Sequence, residues 1–224
     1  MRKFLREHSL TVVFGLLFLV ALVGQFFAGH ADFNERLSAD GHPEIGLGHY
    51  LFSADFLVDV VENWQSEYLQ FFLYVTATVW LVQRGSPESK PVGEAGAQTD
   101  EKQQLGRHVS DSSPRWARAG GWRTKLYSNS LGLAMLVLFL CSWVAQAFAG
   151  WWAYNGEQLR NAQPSVSLLD YLGAPDFWNR SLQNWQSEFL AIASMAILSV
   201  YLRQRGSPES KPVGASHSVS DRSG

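Results

Sequence analysis

Residues 9–28 read SLTVVFGLLFLVALVGQFFA, a stretch without a charge that is dominated by Leu, Val and Phe. Residues 131–149, LGLAMLVLFLCSWVAQAFA, have the same character. A helix of about 20 apolar residues matches a hydrocarbon core about 30 Å thick. Both stretches therefore predict transmembrane helices. The mean hydropathy of the chain is only −0.08 because its loops and tails are polar.

The two apolar stretches belong to a longer repeat with a constant offset of 121 residues, as between Gln25 and Gln146. The aligned units run over about 9–93 and 130–214. Within them the pentapeptide NWQSE at 63–67 recurs at 184–188, and the segment from residue 83 to 93 recurs unchanged 121 residues later. Such self-similarity predicts two copies of one structural unit.

Two shorter apolar blocks, 68–82 and 189–202, occupy corresponding positions in the units and follow helix-compatible sequence. The helix-compatible stretches, which lack Pro and Gly, run over 50–84 and 176–205. We expect a helix from about residue 54 to 82 in the first unit, with its first turns in or along the outer membrane interface. The predicted fold class is an all-α membrane protein. It has four transmembrane helices as two tandem parallel helical-hairpin repeats, with interfacial helical lead-ins on the outer side.

The distribution of positive charge predicts the orientation. Of the 18 Lys and Arg residues, only Arg36, Arg160 and Arg180 lie in the loops between paired helices. The positive-inside rule therefore places both termini and the central linker in the cytoplasm of a bacterial cell, with the protein in the inner membrane. The predicted organisation is a hairpin at 1–84, a disordered linker at 85–127, a hairpin at 128–205 and a disordered tail at 206–224.

Six polar side chains are predicted near the outer helix ends: Gln25, Asn63, Glu67, Gln146, Asn184 and Glu188. Residues four apart share a helix face, and an ionised carboxylate within hydrocarbon costs a few kcal/mol unless it has a partner or water. Two interpretations stay open. The cluster holds two hairpins in register by interhelical hydrogen bonds, or it handles a proton, a cation or a polar solute.

Two further groups of residues suggest contacts outside the chain. Trp64 and Trp185 are predicted aromatic anchors at the outer interface. The fully repeated polar segment suggests a cytoplasmic interaction motif, and recent sequence exchange between the copies explains its identity equally well. The motif residues are Arg84, Glu88, Lys90, Arg205, Glu209 and Lys211.

Other chemistry finds little support in the sequence. The single Cys141 excludes an internal disulfide. His30, His42 and His49 have no His counterparts in the second unit, and their spacing matches no metal-ligand motif. The serines of the pentapeptides lack a basic partner at helical spacing, and basic residues are interleaved with acidic ones. We expect no metal, no cofactor, no nucleic acid partner and no enzymatic activity.

Three motifs resemble those of a family of uncharacterised bacterial integral membrane proteins, classed as a domain of unknown function. They are Gly-Gln-x-x-Ala-Gly from Gly24, Asn-Trp-x-Ser-Glu-[Phe/Tyr]-Leu from Asn63, and Gln-Arg-Gly-Ser-x-Glu-Ser-Lys from Gln83. The resemblance covers both units and departs at Ala145, the counterpart of Gly24. It implies a membrane location and names no catalytic residue.

The function favoured by these features is a non-enzymatic structural or partner-binding membrane component. Its expected partners are the lipid bilayer and an unidentified cytoplasmic or membrane protein. The alternative is a small transporter or channel for protons, cations or a polar solute, using Glu67 and Glu188.

Overall fold

The structure is a computed structural model that describes residues 2–220, and over that range its regular secondary structure is entirely helical. The α-helices are α1 (Arg2–Glu7), α2 (Ser9–Ala39), α3 (Leu47–Leu51), α4 (Ala54–Ala77), α5 (Arg115–Arg118), α6 (Gly121–Ser128), α7 (Ser130–Arg160), α8 (Leu168–Leu172) and α9 (Pro175–Tyr201). Short 3-10 turns lie at Val92–Glu94 and Gly106–His108.

Helices α2 and α7 are each 31 residues long, about 46 Å at 1.5 Å per residue. The mean hydropathy of their most apolar stretches is 2.4 and 2.1, and both helices are long and apolar enough to cross a membrane. None of the apolar stretch of α2 is buried within the protein. Among the described helices only these two meet that criterion, so their length and composition indicate membrane association.

The two long helices end in the same way. The backbone N–H groups of His42 and Gln163 each bond the carbonyl oxygen five residues earlier, both at 2.8 Å. This is the outer bond of a Schellman motif, which needs a left-handed residue before the donor. Gly41 takes that conformation at φ 75° after α2, and Ala162 takes it at φ 53° after α7.

Helix α4 begins at Ala54, as expected, and ends before the expected limit near residue 82. The chain turns between α3 and α4, where the Ser53 hydroxyl accepts a 3.1 Å bond from the Phe56 N–H and caps the new helix. At the other end, the Thr76 and Thr78 hydroxyls each bond the carbonyl four residues earlier at 2.7 Å. These bonds compete with the helical ladder, and α4 ends at Ala77.

Helix α9 begins with Pro175 at its first position, as the sequence predicts, since proline lacks the N–H that a helix start leaves unpaired. It ends at Tyr201, before the end of the helix-compatible stretch at residue 205. Leu202 is extended at φ −95° and ψ 160°, and the chain turns away from the helix axis.

The chain forms two compact units. The first combines residues up to Val61 with Ala145–Tyr171, and its apolar centre contains Phe33, Leu37 and Tyr50. The second combines Glu62–Val144 with the chain from Leu172 onward. The units do not coincide with the hairpins at 1–84 and 128–205, because each contains parts of both.

The linker and the tail up to residue 220, for which composition predicts disorder, carry local structure; residues 221–224 of the predicted tail lie outside the described residues. The linker contains α5, α6 and both 3-10 turns. In α6 the Thr124 hydroxyl bonds the Trp116 carbonyl oxygen at 2.8 Å, which ties α5 to α6. Small polar side chains bonded to backbone groups supply this order, and composition does not register such contacts.

Candidate functional site

Helices α4 and α9 contact each other along a polar seam. Its members are Glu62, Gln65, Ser66 and Gln70 of α4 with Arg180, Trp185 and Glu188 of α9, all in the second compact unit. Residue 62 contacts 180, residue 65 contacts 185 and residue 66 contacts 188. Because the numbers rise together on both sides, the two helices run parallel.

At one end of the polar seam Arg180 binds two carboxylates. Its Nη1 lies 3.1 Å from Oε2 of Glu62, and its Nε lies 3.3 Å from Oδ2 of Asp176, one turn earlier on α9. The Glu62 side chain is only 16% exposed, so its charge needs a partner. A charge-assisted bond from arginine supplies one and ties α9 to α4.

Gln65 lies at the centre of the polar seam with no exposed surface. Its Oε1 accepts a 2.8 Å hydrogen bond from Nε1 of Trp185. Its Nε2 is buried and has no hydrogen-bond partner among the described residues. The same is true of Nε1 of Trp143, whose ring lies 6.0 Å from that of Trp185. Two donor groups near the centre of the polar seam, Nε2 of Gln65 and Nε1 of Trp143, thus make no hydrogen bond among the described residues.

The predicted carboxylate pair lies one turn further along α4 and α9. The Ser66 hydroxyl donates to the Asn63 oxygen of its own helix at 2.9 Å and lies next to the Glu188 side chain. Glu67 is close enough to Glu188 to interact with it electrostatically. Nε2 of Gln70 bonds the main-chain oxygen of Glu188 at 3.2 Å. Glu188 is half-buried and Glu67 is exposed. The structure thus brings Glu67 and Glu188 together, beside the Ser66 hydroxyl.

The two identical pentapeptides contribute different faces to the polar seam. The third and fourth residues of the first copy, Gln65 and Ser66, are 0% and 1% exposed. The same residues of the second copy, Gln186 and Ser187, are exposed. The second copy contributes Trp185 and Glu188 instead. The two identical sequences therefore contact each other through different helix faces. Such a contact is heterologous.

The other four predicted polar residues differ in burial and in the unit to which they belong. Asn184 donates from Nδ2 to a backbone oxygen of its own helix at 2.9 Å, and Asn63 is exposed. The half-buried Gln25 and the fully buried Gln146 belong to the first compact unit. The expected meeting of these glutamines with the Asn–Glu pairs stays a prediction.

The two predicted tryptophan anchors differ in their surroundings. The Trp64 ring is 39% exposed, as an anchor at an interface requires. Trp185 is half-buried and directs its indole N–H to Gln65 within the polar seam. Identical neighbouring sequence therefore does not give the two rings the same role.

The outer loops are closed by an asparagine contact to which the sequence analysis assigned no role. The Asn34 side chain donates to the Ile45 oxygen at 3.0 Å and accepts from the Ile45 N–H at 2.9 Å. Asn155 makes the same pair of bonds with Val166, at 3.1 and 2.8 Å. The recurrence of these asparagines at the repeat offset is the signal that points to them.

A ring nitrogen reinforces each of these loop contacts. Nε1 of Trp151 donates to the Val166 oxygen at 2.8 Å, and Nε2 of His30 lies 2.7 Å from the Ile45 oxygen. The indole N–H of Trp151 can only donate. Because Nε2 of His30 faces the equivalent carbonyl oxygen, it favours the His30 tautomer that carries its proton on Nε2. His30 therefore has a structural role in the loop.

A tyrosine packs over a glycine behind each loop. A β-carbon at Gly29 would overlap the Tyr50 hydroxyl and lie 3.3 Å from its Cζ, and one at Gly150 would meet Tyr171 in the same way at 3.1 Å. Burial, followed by repulsion from Asp59, raises the pKa of Tyr50 to about 12. The Tyr50 hydroxyl therefore stays protonated at neutral pH.

The repeated segment QRGSPESK forms the same turn after α4 (83–90) and after α9 (204–211), here called the exit turn. In each copy the second serine hydroxyl accepts a bond from the N–H of the glutamine, at 2.7 and 2.9 Å. The glycine of each turn has positive φ, 84° and 86°, a conformation that favours glycine. Glutamine, glycine and serine thus have defined roles in both copies.

The lysine of each exit turn folds back onto carbonyl oxygens. Nζ of Lys90 bonds the Val79 and Gly96 oxygens at 3.3 and 2.8 Å. Nζ of Lys211, only 6% exposed, bonds the Gly85 oxygen of the first turn and three oxygens of the tail, those of Ser216, His217 and Val219. The two lysines of the repeated segment therefore have contacts within the chain. Of the predicted motif residues, Arg84, Arg205 and Glu209 are exposed.

The two exit turns also contact each other through their glutamates. The Glu88 carboxyl accepts a hydrogen bond from the Tyr74 hydroxyl and forms another with the Glu209 carboxyl. Burial first, and then Glu209, raise the pKa of Glu88, although the Tyr74 bond opposes the shift. Two carboxyl groups share a hydrogen bond only if one is protonated. Protonation of Glu88 therefore favours the contact between the two turns.

Comparison with known proteins identifies one relationship. The model of the family described as Domain of unknown function (DUF6766) matches residues 1–222. Neither a curated protein nor a solved structure matches the chain.

Proposed function

The chain belongs to the family described as Domain of unknown function (DUF6766), and on that premise we propose that it is a multi-pass bacterial inner-membrane protein with a non-enzymatic structural or partner-binding role. In this proposal α2, α4, α7 and α9 all cross the bilayer as two parallel hairpins. The observation that carries it is the recurrence of a 31-residue apolar helix, once near the start of the chain and once 121 residues later.

The lengths and direction of α4 and α9 support their crossing. At 24 and 27 residues they are about 36 and 40 Å long, enough for a hydrocarbon core of about 30 Å. Their parallel contact fits two hairpins that enter the membrane from the same side. Glu62, Asp176 and Arg180 would lie towards the outer interface, where they reach water.

The polar seam supports a structural role. Its members bond each other across α4 and α9: arginine with carboxylate, indole with amide oxygen, and amide N–H with a main-chain oxygen. Helices in a bilayer associate through packing and such hydrogen bonds, because lipid is as apolar as leucine. The polar seam therefore has the composition expected of a contact that holds two membrane helices together.

The transport alternative has its own supporting observation. Glu67 and Glu188 lie together, and two buried N–H donors, on Gln65 and Trp143, lie along the same seam. Close carboxylates that face a cavity are typical of proton and cation pathways.

Flux through proteoliposomes tests the two functions against each other. The structural proposal predicts no proton or cation flux above that of empty liposomes, under a pH gradient or a membrane potential. Suppose that the wild type shows flux, that Glu67→Gln and Glu188→Gln abolish it, and that the exposed control Glu35→Gln keeps it. This result would establish the transport alternative and overturn the structural proposal.

A crosslinking experiment tests the partner-binding role. Photo-reactive residues at the exposed positions Arg84 and Arg205 would flank the two exit turns. We expect both positions to capture the same protein in the producing cell, and the exposed linker position Arg118 not to capture it. Recovery of only lipid and bulk protein from all three positions would contradict a cytoplasmic partner at the exit turns.

A further inference from the structure

The two exit turns have the same backbone but different surroundings. In each turn the N–H of the first serine donates to the glutamine oxygen three residues earlier, at 3.1 Å. A β-carbon added to Gly85 would overlap the His217 oxygen, whereas nothing lies within 4 Å of a β-carbon added to Gly206. The last described residues therefore cover the first exit turn, and the second exit turn is open.

The glycine N–H has an oxygen acceptor in the first exit turn alone. The Gly85 N–H donates to the Ser220 hydroxyl oxygen at 2.9 Å in a buried contact. The Gly206 N–H has no acceptor within the part of the chain that the structure describes. The neighbouring Ser207 hydroxyl accepts from the Glu209 N–H at 3.2 Å, and its own hydrogen is not donated to any described residue. The second exit turn thus offers an N–H and an O–H to an outside acceptor.

These donors lie at an open cavity with a positive lining. Its volume is about 730 Å³, and residues 205–208 and 210–213 line it. Arg205 and Lys211 belong to the lining, and the acidic Glu209 does not. Arg205 is exposed and has no ion-pair partner among residues 2–220, whereas the Lys211 ammonium is held in the wall by carbonyl oxygens. Positive charge combined with N–H and O–H donors suits an oxyanion.

We propose that the second exit turn binds the phosphate group of an anionic phospholipid through Arg205, Gly206 and Ser207. The guanidinium donates to two phosphate oxygens, as its planar fork allows. The glycine N–H and the serine hydroxyl donate to the remaining oxygens. This site deepens the membrane role proposed above, on which it rests, by naming the lipid that the protein binds.

The position of the cavity favours a lipid over a soluble phosphate. Helix α9 ends at Tyr201, and the four residues from there to Arg205 reach at most about 14 Å when extended. In the proposed arrangement this end of α9 lies at the cytoplasmic surface, so Arg205 lies near the layer of headgroups. Anionic lipids of that leaflet attract basic residues that follow a membrane helix.

Binding of phosphatidylglycerol to the full-length protein in an uncharged detergent tests the site. Native mass spectrometry of the wild type, Arg205→Gln and Arg84→Gln would count bound lipids and give their dissociation constants. Arg84→Gln is the matched control, because it removes the same charge from an identical turn whose glycine N–H is already used. Phosphatidylcholine tests the preference for a negative headgroup, and glycerol 3-phosphate serves as a soluble competitor.

We expect phosphatidylglycerol to bind more tightly than phosphatidylcholine. Arg205→Gln should weaken the tightest site about tenfold, as the loss of a charge-assisted hydrogen bond predicts, and Arg84→Gln less than about twofold. Equal effects of the two substitutions, or no effect of either, overturn the site. Displacement of the lipid by an equal concentration of glycerol 3-phosphate overturns the lipid as the ligand, in favour of a soluble phosphate.

An alkaline carbonate wash of the producing membranes separates this site from the proposal on which it rests. Chains released by the wash contradict the membrane proposal itself. Chains that are retained, but whose lipid binding does not depend on Arg205, contradict only the headgroup site.

Discussion

The indole N–H of Trp185 and the amide oxygen of Gln65 form a 2.8 Å hydrogen bond between α9 and α4. The bond joins the second residue of one pentapeptide to the third residue of its identical copy. Gln65 is fully buried, and its Nε2 has no partner among the residues that the structure describes. This bond therefore satisfies the buried amide oxygen of Gln65.

Trp185→Phe should lower the free energy of unfolding by about 1–3 kcal/mol, because it keeps most of the ring but leaves a buried carbonyl oxygen without a donor. Equilibrium unfolding of the purified protein in detergent measures this. The matched variant Trp64→Phe alters the more exposed ring of the other pentapeptide and should cost less. Equal losses in the two variants would contradict the assigned role of the bond.

The ion pair of Glu62 with Arg180 should give a measurable coupling energy. A double-mutant cycle with Glu62→Gln and Arg180→Gln should yield about 1–2 kcal/mol, since the Glu62 side chain is only 16% exposed. The pair Asp32 and Arg36, with side chains 68% and 61% exposed, is the control and should couple by less than about 0.5 kcal/mol. A coupling energy near zero for Glu62 and Arg180 would contradict the view that this pair stabilises the polar seam.

Gly29→Ala should destabilise the protein by about 1–3 kcal/mol, because the new β-carbon overlaps the Tyr50 hydroxyl. Adding Tyr50→Phe removes the overlapping oxygen and should restore part of the loss. Gly24→Ala, where nothing lies within 4 Å of an added β-carbon, should be neutral or stabilising. Thermal unfolding of the three variants checks this, and a loss that Tyr50→Phe does not reduce would refute the overlap.

The Glu88 carboxyl should make the exit turns sensitive to pH. Its folded pKa lies above the ordinary value of 4.5, so its stabilisation is complete below that value and is lost as pH rises through the raised pKa. Glu88→Gln cannot ionise and keeps a side chain able to bond Tyr74 and Glu209. It should therefore be more stable than the wild type at neutral pH and less dependent on pH.

Hydrogen exchange at the Gln83 and Gly85 amides, followed between about pH 5 and 8 and corrected for intrinsic exchange rates, reports this effect locally. Glu101→Gln, on the exposed part of the linker, controls for the loss of one negative charge. If Glu88→Gln and Glu101→Gln change the pH dependence equally, Glu88 is not the group that makes the exit turns sensitive to pH.

The sequence predicted the elements whose signal is strong and periodic. Uncharged stretches as long as 9–28 fix a helix by composition, and α2 and α7 are present. Pro175 marked the start of α9 because proline has one favoured position there. The family prediction is confirmed by the match over residues 1–222.

Helix ends and the partners of side chains were harder to predict. The end of α4 at Ala77 depends on two threonine hydroxyls bonding the backbone, which hydropathy does not register. The polar seam depends on a rotation of α9 against α4 that gives identical pentapeptides different neighbours. A repeat predicts equal local structure, but it does not specify which faces meet.

Cysteine accessibility in intact cells tests the four-helix arrangement most directly. Single cysteines in a Cys141→Ala background would be placed at the exposed positions Asp40, Ser112, Gln163 and Ser216 and treated with a membrane-impermeant thiol reagent. We expect labelling at 40 and 163 in intact cells, and at 112 and 216 only after permeabilisation. If α2 and α7 alone cross the membrane, 112 would be labelled in intact cells and 163 would not, which would contradict the account.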